Sequence, residues 1–174
     1  MKIFLFLLLA SAATPAAAEV VSASDTGFEV RETVNLVVPP AVAFAAFRDL
    51  SSWWDPEHTY SGKSENLSLN LTPGGCFCER FPKGGGIEHM RVTFVDPGKR
   101  AILTGSLGPL LFEATTGVLD VQVKTIAGGA QFILDYRVSG FAKGGAANLA
   151  PQVDQVLSSQ IKRYREYAAA RPAT

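Results

Sequence analysis

The sequence predicts an α+β fold. A curved antiparallel sheet of about seven strands wraps around a long C-terminal helix, with one or two short helices after the first strand. Two changes of period predict it. From Leu67 to Ser139, apolar residues recur at every second position in segments broken by Gly- and Pro-rich turns. Beyond Gly144-Gly145 the period becomes 3.6, with Leu149, Val153, Val156, Leu157, Ile161, Tyr164 and Tyr167 on one stripe. The 174 residues suit one domain. With 47% hydrophobic and 18% charged residues, the composition is that of a globular chain and not of a disordered one. Sixteen basic residues balance sixteen acidic ones, which argues against a nucleic-acid binder.

The first eighteen residues read as an export signal. Lys2 supplies the positive start, residues 3–9 an apolar run, and Ala16-Ala17-Ala18 a small-residue cleavage site, with Glu19 as the new N-terminus. The run is too short to span a bilayer, so no stable membrane insertion is expected. The expected localisation is periplasmic or secreted. Residues 19–26 read as an N-terminal extension, 27–168 as the domain, and 169–174 as a flexible tail.

Within the domain, residues 27–38 are rich in Val, Thr and Phe and read as the first strand. Pro39-Pro40 stops it, and Pro40 suits the first turn of a helix, where its missing N–H costs nothing. Ala41, Phe44, Ala45 and Phe47 then repeat at helical spacing up to Asp49, and residues 50–54 form a second short helix. Residues 57–66 are polar and read as a loop. Six further strands are expected over 67–71, 76–81, 87–95, 101–107, 114–126 and 130–139, the last two joined as a hairpin across Gly128-Gly129. Such short turns favour antiparallel pairing.

Several local signatures resemble the helix-grip SRPBCC superfamily. Val38-Pro39-Pro40-Ala41-Val42 followed by Phe44, Phe47, Asp49 and Trp53 looks like its strand-to-helix opening. Leu69-x-Leu71-x-Pro73-Gly74-Gly75-x-Phe77 looks like its second hairpin, and Val92-x-x-Val95-x-Pro97 with Arg100 and Leu103 like the next. The likeness runs from about Gly27 to Tyr167. The superfamily includes START lipid-transfer domains, the birch-pollen allergen group, polyketide cyclases/dehydrases and relatives of the Hsp90 ATPase activator. It implies a helix-grip fold. The export signal departs from this mostly cytosolic family and argues against a direct Hsp90-activator role.

Strand phase sorts the polar residues. Phe77, Glu79 and Phe81 share a face. So do Glu88, Met90, Val92 and Phe94, with His89 opposite. Glu79 and Glu88 therefore fall on apolar faces, where a carboxylate needs a partner or a raised pKa, and both are candidate acid/base groups. A bulge would return one of them to solvent. His58, in the polar loop beside Tyr60 and Trp54, is the third catalytic candidate. Cys76 and Cys78 share a face. Regular strand geometry disfavours a disulfide at that spacing, so free or packed thiols are expected. Without a second ligand pair, no metal site is expected, and no cofactor. Asn66 and Asn70 stand in glycosylation sequons.

Three functions stay open. The first is an exported binding module for a small hydrophobic or amphipathic molecule, held between sheet and C-terminal helix. Its wall would include Trp54, Phe77, Phe94, Tyr136 and Tyr164. Its polar groups would include Glu79, Glu88, His58 and Gln160, with Tyr60 and His89 near the mouth. The second is a cyclase/dehydratase- or hydrolase-type enzyme using Glu79 or Glu88 with His58 or Tyr136. The third is an envelope protein–protein interaction module. The sequence leaves the oligomeric state and the ligand's identity open.

Overall fold

A computed structural model describes residues 17–171. The apolar run read as an export signal lies outside the described residues. The expected cleavage point after Ala18 falls inside the first strand, β1, Ala17–Ser24. The elements that follow are β2 (Gly27–Leu36), α1 (Pro40–Arg48), β3 (Leu67–Leu69), β4 (Cys76–Arg80), β5 (Gly86–Asp96), β6 (Arg100–Gly105), β7 (Ala114–Ile126), β8 (Gly129–Phe141) and α2 (Ala150–Ala169). All strands pair antiparallel in one sheet of order β1-β2-β8-β7-β6-β5-β4-β3. Among the described residues the sheet has eight strands. The additional one is β1, which turns the expected N-terminal extension into a sheet edge paired with β2 from Ala17↔Thr33 to Ser24↔Gly27.

Alternation builds the long strands. On β2, Phe28, Val30, Glu32, Val34 and Leu36 are buried, while Arg31 and Asn35 are exposed. On β8, Phe132, Leu134, Tyr136 and Val138 face the same core. Its opposite face carries Asp135, which accepts a 2.5 Å bond from Arg31 Nε. The β7–β8 hairpin closes at Ile126↔Gly129. Gly128 takes φ +80° in that turn, a conformation L-residues rarely adopt.

Proline starts α1 at its first position, and Val42, Ala43, Phe44, Ala46 and Phe47 are its buried residues. The 20 residues of α2 give a rod about 30 Å long. Its buried residues are Ala150, Leu157, Gln160, Ile161, Tyr164 and Ala168. Tyr164 packs on Phe132 at 4.3 Å between centroids and edge-on to Trp53 at 5.3 Å, and its hydroxyl donates to Ala43 O at 2.9 Å. Phe47 completes this cluster, 5.7 Å from Phe132. Burying each such aromatic side chain contributes up to about 3 kcal/mol. Just past the end of α2, Arg171 donates to Asp49 Oδ2 at 2.5 Å.

Two bulges on β5 reset the expected phases. Phe77 pairs with Met90 but Cys78 with Glu88, so His89 is an extra residue on β5. His89 and Met90, adjacent in sequence, are both buried, and Glu88 turns to solvent. The second slip lies between Val92↔Leu103 and Phe94↔Ile102. It carries Phe94 out of the core to 45% exposure. Beside the first bulge, a Cβ on Gly105 would stand 2.4 Å from His89 O, so β6 approaches as closely as only glycine allows.

Candidate functional site: an apolar cavity walled by two loops and a helix

The stripe on α2 extends beyond the sheet that covers it. Leu157 is buried, but its neighbour Val156 and Val153, one turn earlier, are only half-buried. They form one wall of a cavity of about 410 Å³. Trp54, His58, Thr59 and Tyr60 form the second wall. The third is residues 107–113, containing a short 3-10 turn at Gly108–Phe112. Its apolar run, Leu110-Leu111-Phe112, buries Leu110 and leaves Phe112 exposed. The lining is mainly apolar. Its charged members are Glu57 and Glu113, and neither Lys nor Arg is among them.

Hydrogen bonds fix each wall. Trp54 Nε1 donates to His58 O at 3.0 Å, closing the loop on itself. Asp55 N donates to Gln160 Oε1 at 2.8 Å, tying the loop to α2. Tyr60 N and Ser61 N donate to Glu79 at 3.1 and 2.5 Å. The Tyr60 hydroxyl donates to Gly108 O at 2.7 Å, joining the second wall to the third. Leu107 N donates to the Tyr136 hydroxyl at 3.0 Å. Burial pushes the Tyr136 phenol up to about 12, so it stays neutral.

The first bulge places His89 behind Tyr60. The two rings stack at 5.9 Å, and His89 Nε2 lies 3.1 Å from Glu79 Oε2. Desolvation pushes the Glu79 carboxyl up, but the hydrogen bonds from Ser61, Tyr60 and His89 outweigh it and hold the group below its ordinary range. Desolvation holds the His89 imidazole down more strongly than Glu79 raises it. At neutral pH the pair is therefore an ionised carboxylate accepting from a neutral imidazole. His89 Nδ1 is buried without a partner.

The expected site residues separate into groups. Trp54, His58 and Tyr60 line the cavity. Glu79 and His89 stand behind its wall as positioning residues, and Glu79 is only 1% exposed. Glu88, expected inside, is exposed and paired with Arg91. Phe94, expected in the wall, is outside for the reason given by the second bulge. Phe77, Tyr136 and Tyr164 pack in the core and are not among the lining residues. Gln160 is spent on the loop backbone, with its Nε2 unpartnered. The hollow thus lies at the open end of the sheet beside the first turns of α2. Under the later turns of the helix, Tyr164 packs on Phe132 and Trp53.

Cys76 and Cys78 form a disulfide, contrary to the expectation of free thiols. A regular strand separates residues i and i+2 by about 6.6 Å. Here, where the ladder slips, their Cα atoms stand 5.4 Å apart. Ligand atoms of Cys76, Cys78 and Glu88 lie within 4.8 Å of one another, but the disulfide occupies both sulfurs and leaves one carboxylate for a cation. The sequence reading also missed residues 107–113 and a buried carboxylate, Glu32, whose Oε1 has no partner. The signal for the former was an apolar tripeptide just after Gly108-Pro109. For Glu32 it was an acid in phase with Val30 and Val34.

No protein-family model and no curated protein matches the sequence. Solved structures do. An uncharacterised protein from Rhizobium leguminosarum aligns with a TM-score of 0.57 and 16% identity over 91% of this chain and 100% of its own. The structure named Ara h 8.0201 aligns with a TM-score of 0.57 and 15% identity over 83% of this chain and 99% of its own. DynU16, a protein of the dynemicin biosynthetic locus, aligns with a TM-score of 0.58 and 18% identity over 82% of this chain and 47% of its own. At such identities the likeness speaks for architecture alone. The chain has an α+β helix-grip fold, an antiparallel sheet curved around one long C-terminal helix.

Proposed function

We propose that this chain is an exported binding module that holds a small amphipathic molecule in the cavity between α2, the loop of residues 54–60 and the segment of residues 107–113. The observation that carries the reading is an apolar hollow of about 410 Å³ whose walls are each fixed by hydrogen bonds to buried groups. Such volume and lining are those of a small-molecule site. Val153, Val156 and Leu110 would hold the apolar body. Glu57 and Glu113, with no basic side chain in the lining, favour a neutral or cationic head over a carboxylate. No two lining side chains are hydrogen bonded as nucleophile and base among the described residues, which favours binding over catalysis. Export rests on the N-terminal pattern; cleavage after Ala18 would leave Glu19 to Ser24 available for pairing with β2.

Titration with dodecylamine, dodecanol and dodecanoate tests this, read by the fluorescence of Trp54 in the wall. Saturable binding of the amine or alcohol is expected, with the carboxylate at least tenfold weaker. Val156→Trp fills the hollow and should abolish binding with the circular dichroism unchanged. Failure of all three probes to bind, or binding that survives Val156→Trp, overturns the reading.

A further inference from the structure

The Cys76–Cys78 bond closes a loop of three residues. The entropy a cross-link removes from the unfolded chain grows with loop length, so this one does little to hold the fold. Its two ends are also held without it. Cys78 pairs with Ser68 on one side and Glu88 on the other. Cys76 pairs with Arg91, and its carbonyl accepts from Asn70 N at 3.1 Å. Both cysteines are partly exposed, so a small thiolate has access to the sulfurs.

The slipped ladder sets Arg91 opposite Cys76 and Glu88 opposite Cys78. A Glu88 carboxylate oxygen lies within 4.8 Å of both sulfurs, and Arg91, which donates to Gly74 O at 3.0 Å, pairs with that carboxylate. The Arg91 cation therefore offsets the repulsion that Glu88 would exert on an incoming thiolate at either sulfur.

We propose that Cys76–Cys78 is a redox-active pair that exchanges with external thiols while the chain stays folded. A thiolate RS⁻ attacks one cysteine Sγ, the S–S bond breaks, and its electron pair leaves on the other Sγ. A second RS⁻ attacks the R sulfur of the mixed disulfide, releasing RSSR and the second cysteine thiolate. Two protons from solvent complete the dithiol. The protein disulfide gains two electrons, and two external thiols are oxidised to one disulfide.

The test equilibrates native protein in glutathione buffers of graded reduced-to-oxidised ratio, followed by acid quench, alkylation and mass measurement. Circular dichroism monitors the fold in the same buffers. Expected is a reversible two-electron transition between oxidised and dialkylated masses with an unchanged spectrum. In Cys76→Ser, glutathione should be trapped on Cys78. Arg91→Gln should slow opening of the disulfide by glutathione at least threefold. A bond that stays closed in excess reduced glutathione until denaturant is added overturns the proposal. So does a reduced chain that oxidised glutathione fails to close.

Discussion

Glu32 offers the sharpest test of the packing between sheet and helix. It lies on the inner face of β2, is 1% exposed, and leaves one carboxylate oxygen unpartnered. Desolvation, with Asp154 on α2 adding repulsion and Lys162 opposing it, pushes its pKa from 4.5 up to about 8. In the unfolded chain the proton leaves near 4.5, whereas in the folded chain it is kept until about 8. Between those values the folded state holds the extra proton, so stability falls as pH rises through the window and the full penalty stands above about 8. At about 1.4 kcal/mol per pH unit, the gap sets an upper limit of about 5 kcal/mol. Solvent screening reduces this to an expected 2 kcal/mol or so, on the order of 5 °C in Tm. Glu32→Gln removes the ionisable group and keeps its shape. Urea denaturation of both proteins at about pH 5 and pH 9 measures the difference. The variant should match the native chain in acid and exceed it by roughly 2 kcal/mol in base. An equal difference at both pH values would refute the reasoning, because the penalty would then owe nothing to ionisation.

His89 should act on the acid side. Burial holds its pKa below the unfolded value of 6.5, so the unfolded chain takes up the proton first and stability is lost as pH falls below 6.5. Against His89→Gln, the native chain should lose ground between about pH 7 and pH 5; parallel urea midpoints for the two proteins would show that His89 is not buried as described. Tyr164→Phe removes the donor to Ala43 O and should cost about 1 kcal/mol in thermal unfolding, independent of pH; an unchanged Tm would mean that this bond is absent in solution.

Strand and helix order followed from the sequence because burial of one face imposes a period, and period is a local property. The 13-residue strands β7 and β8 lie where alternation put them, and Pro40 starts α1 as its fixed φ requires. The site was less legible. The expected wall included Phe94 and placed Glu88 inside, both by simple alternation along β5. Each failed at a bulge, where one extra residue reverses the phase of everything beyond it. A bulge has no periodic signature. It arises when two strands must pair while the sheet twists, so both partners decide it.

The same division holds for the chemistry. The sequence by itself determined that Glu79 would be an acid on an apolar face, that Trp54, His58 and Tyr60 would fall in one loop, and that the last helix would carry an apolar stripe. These are consequences of phase and composition. Tertiary structure decided the rest. It gave Glu79 three donors from Tyr60, Ser61 and His89, which makes it a brace for the loop rather than a free base. It packed Tyr164 on Phe132 and Trp53 under the later turns of α2, and left Val153 and Val156 beyond that packing. It also drew Cys76 and Cys78 to a bonding distance that a regular strand does not provide. The physical reason is common to all three. Periodicity says which side of an element meets the core, whereas the partner met there, and the space left over, depend on contacts between residues far apart in the chain.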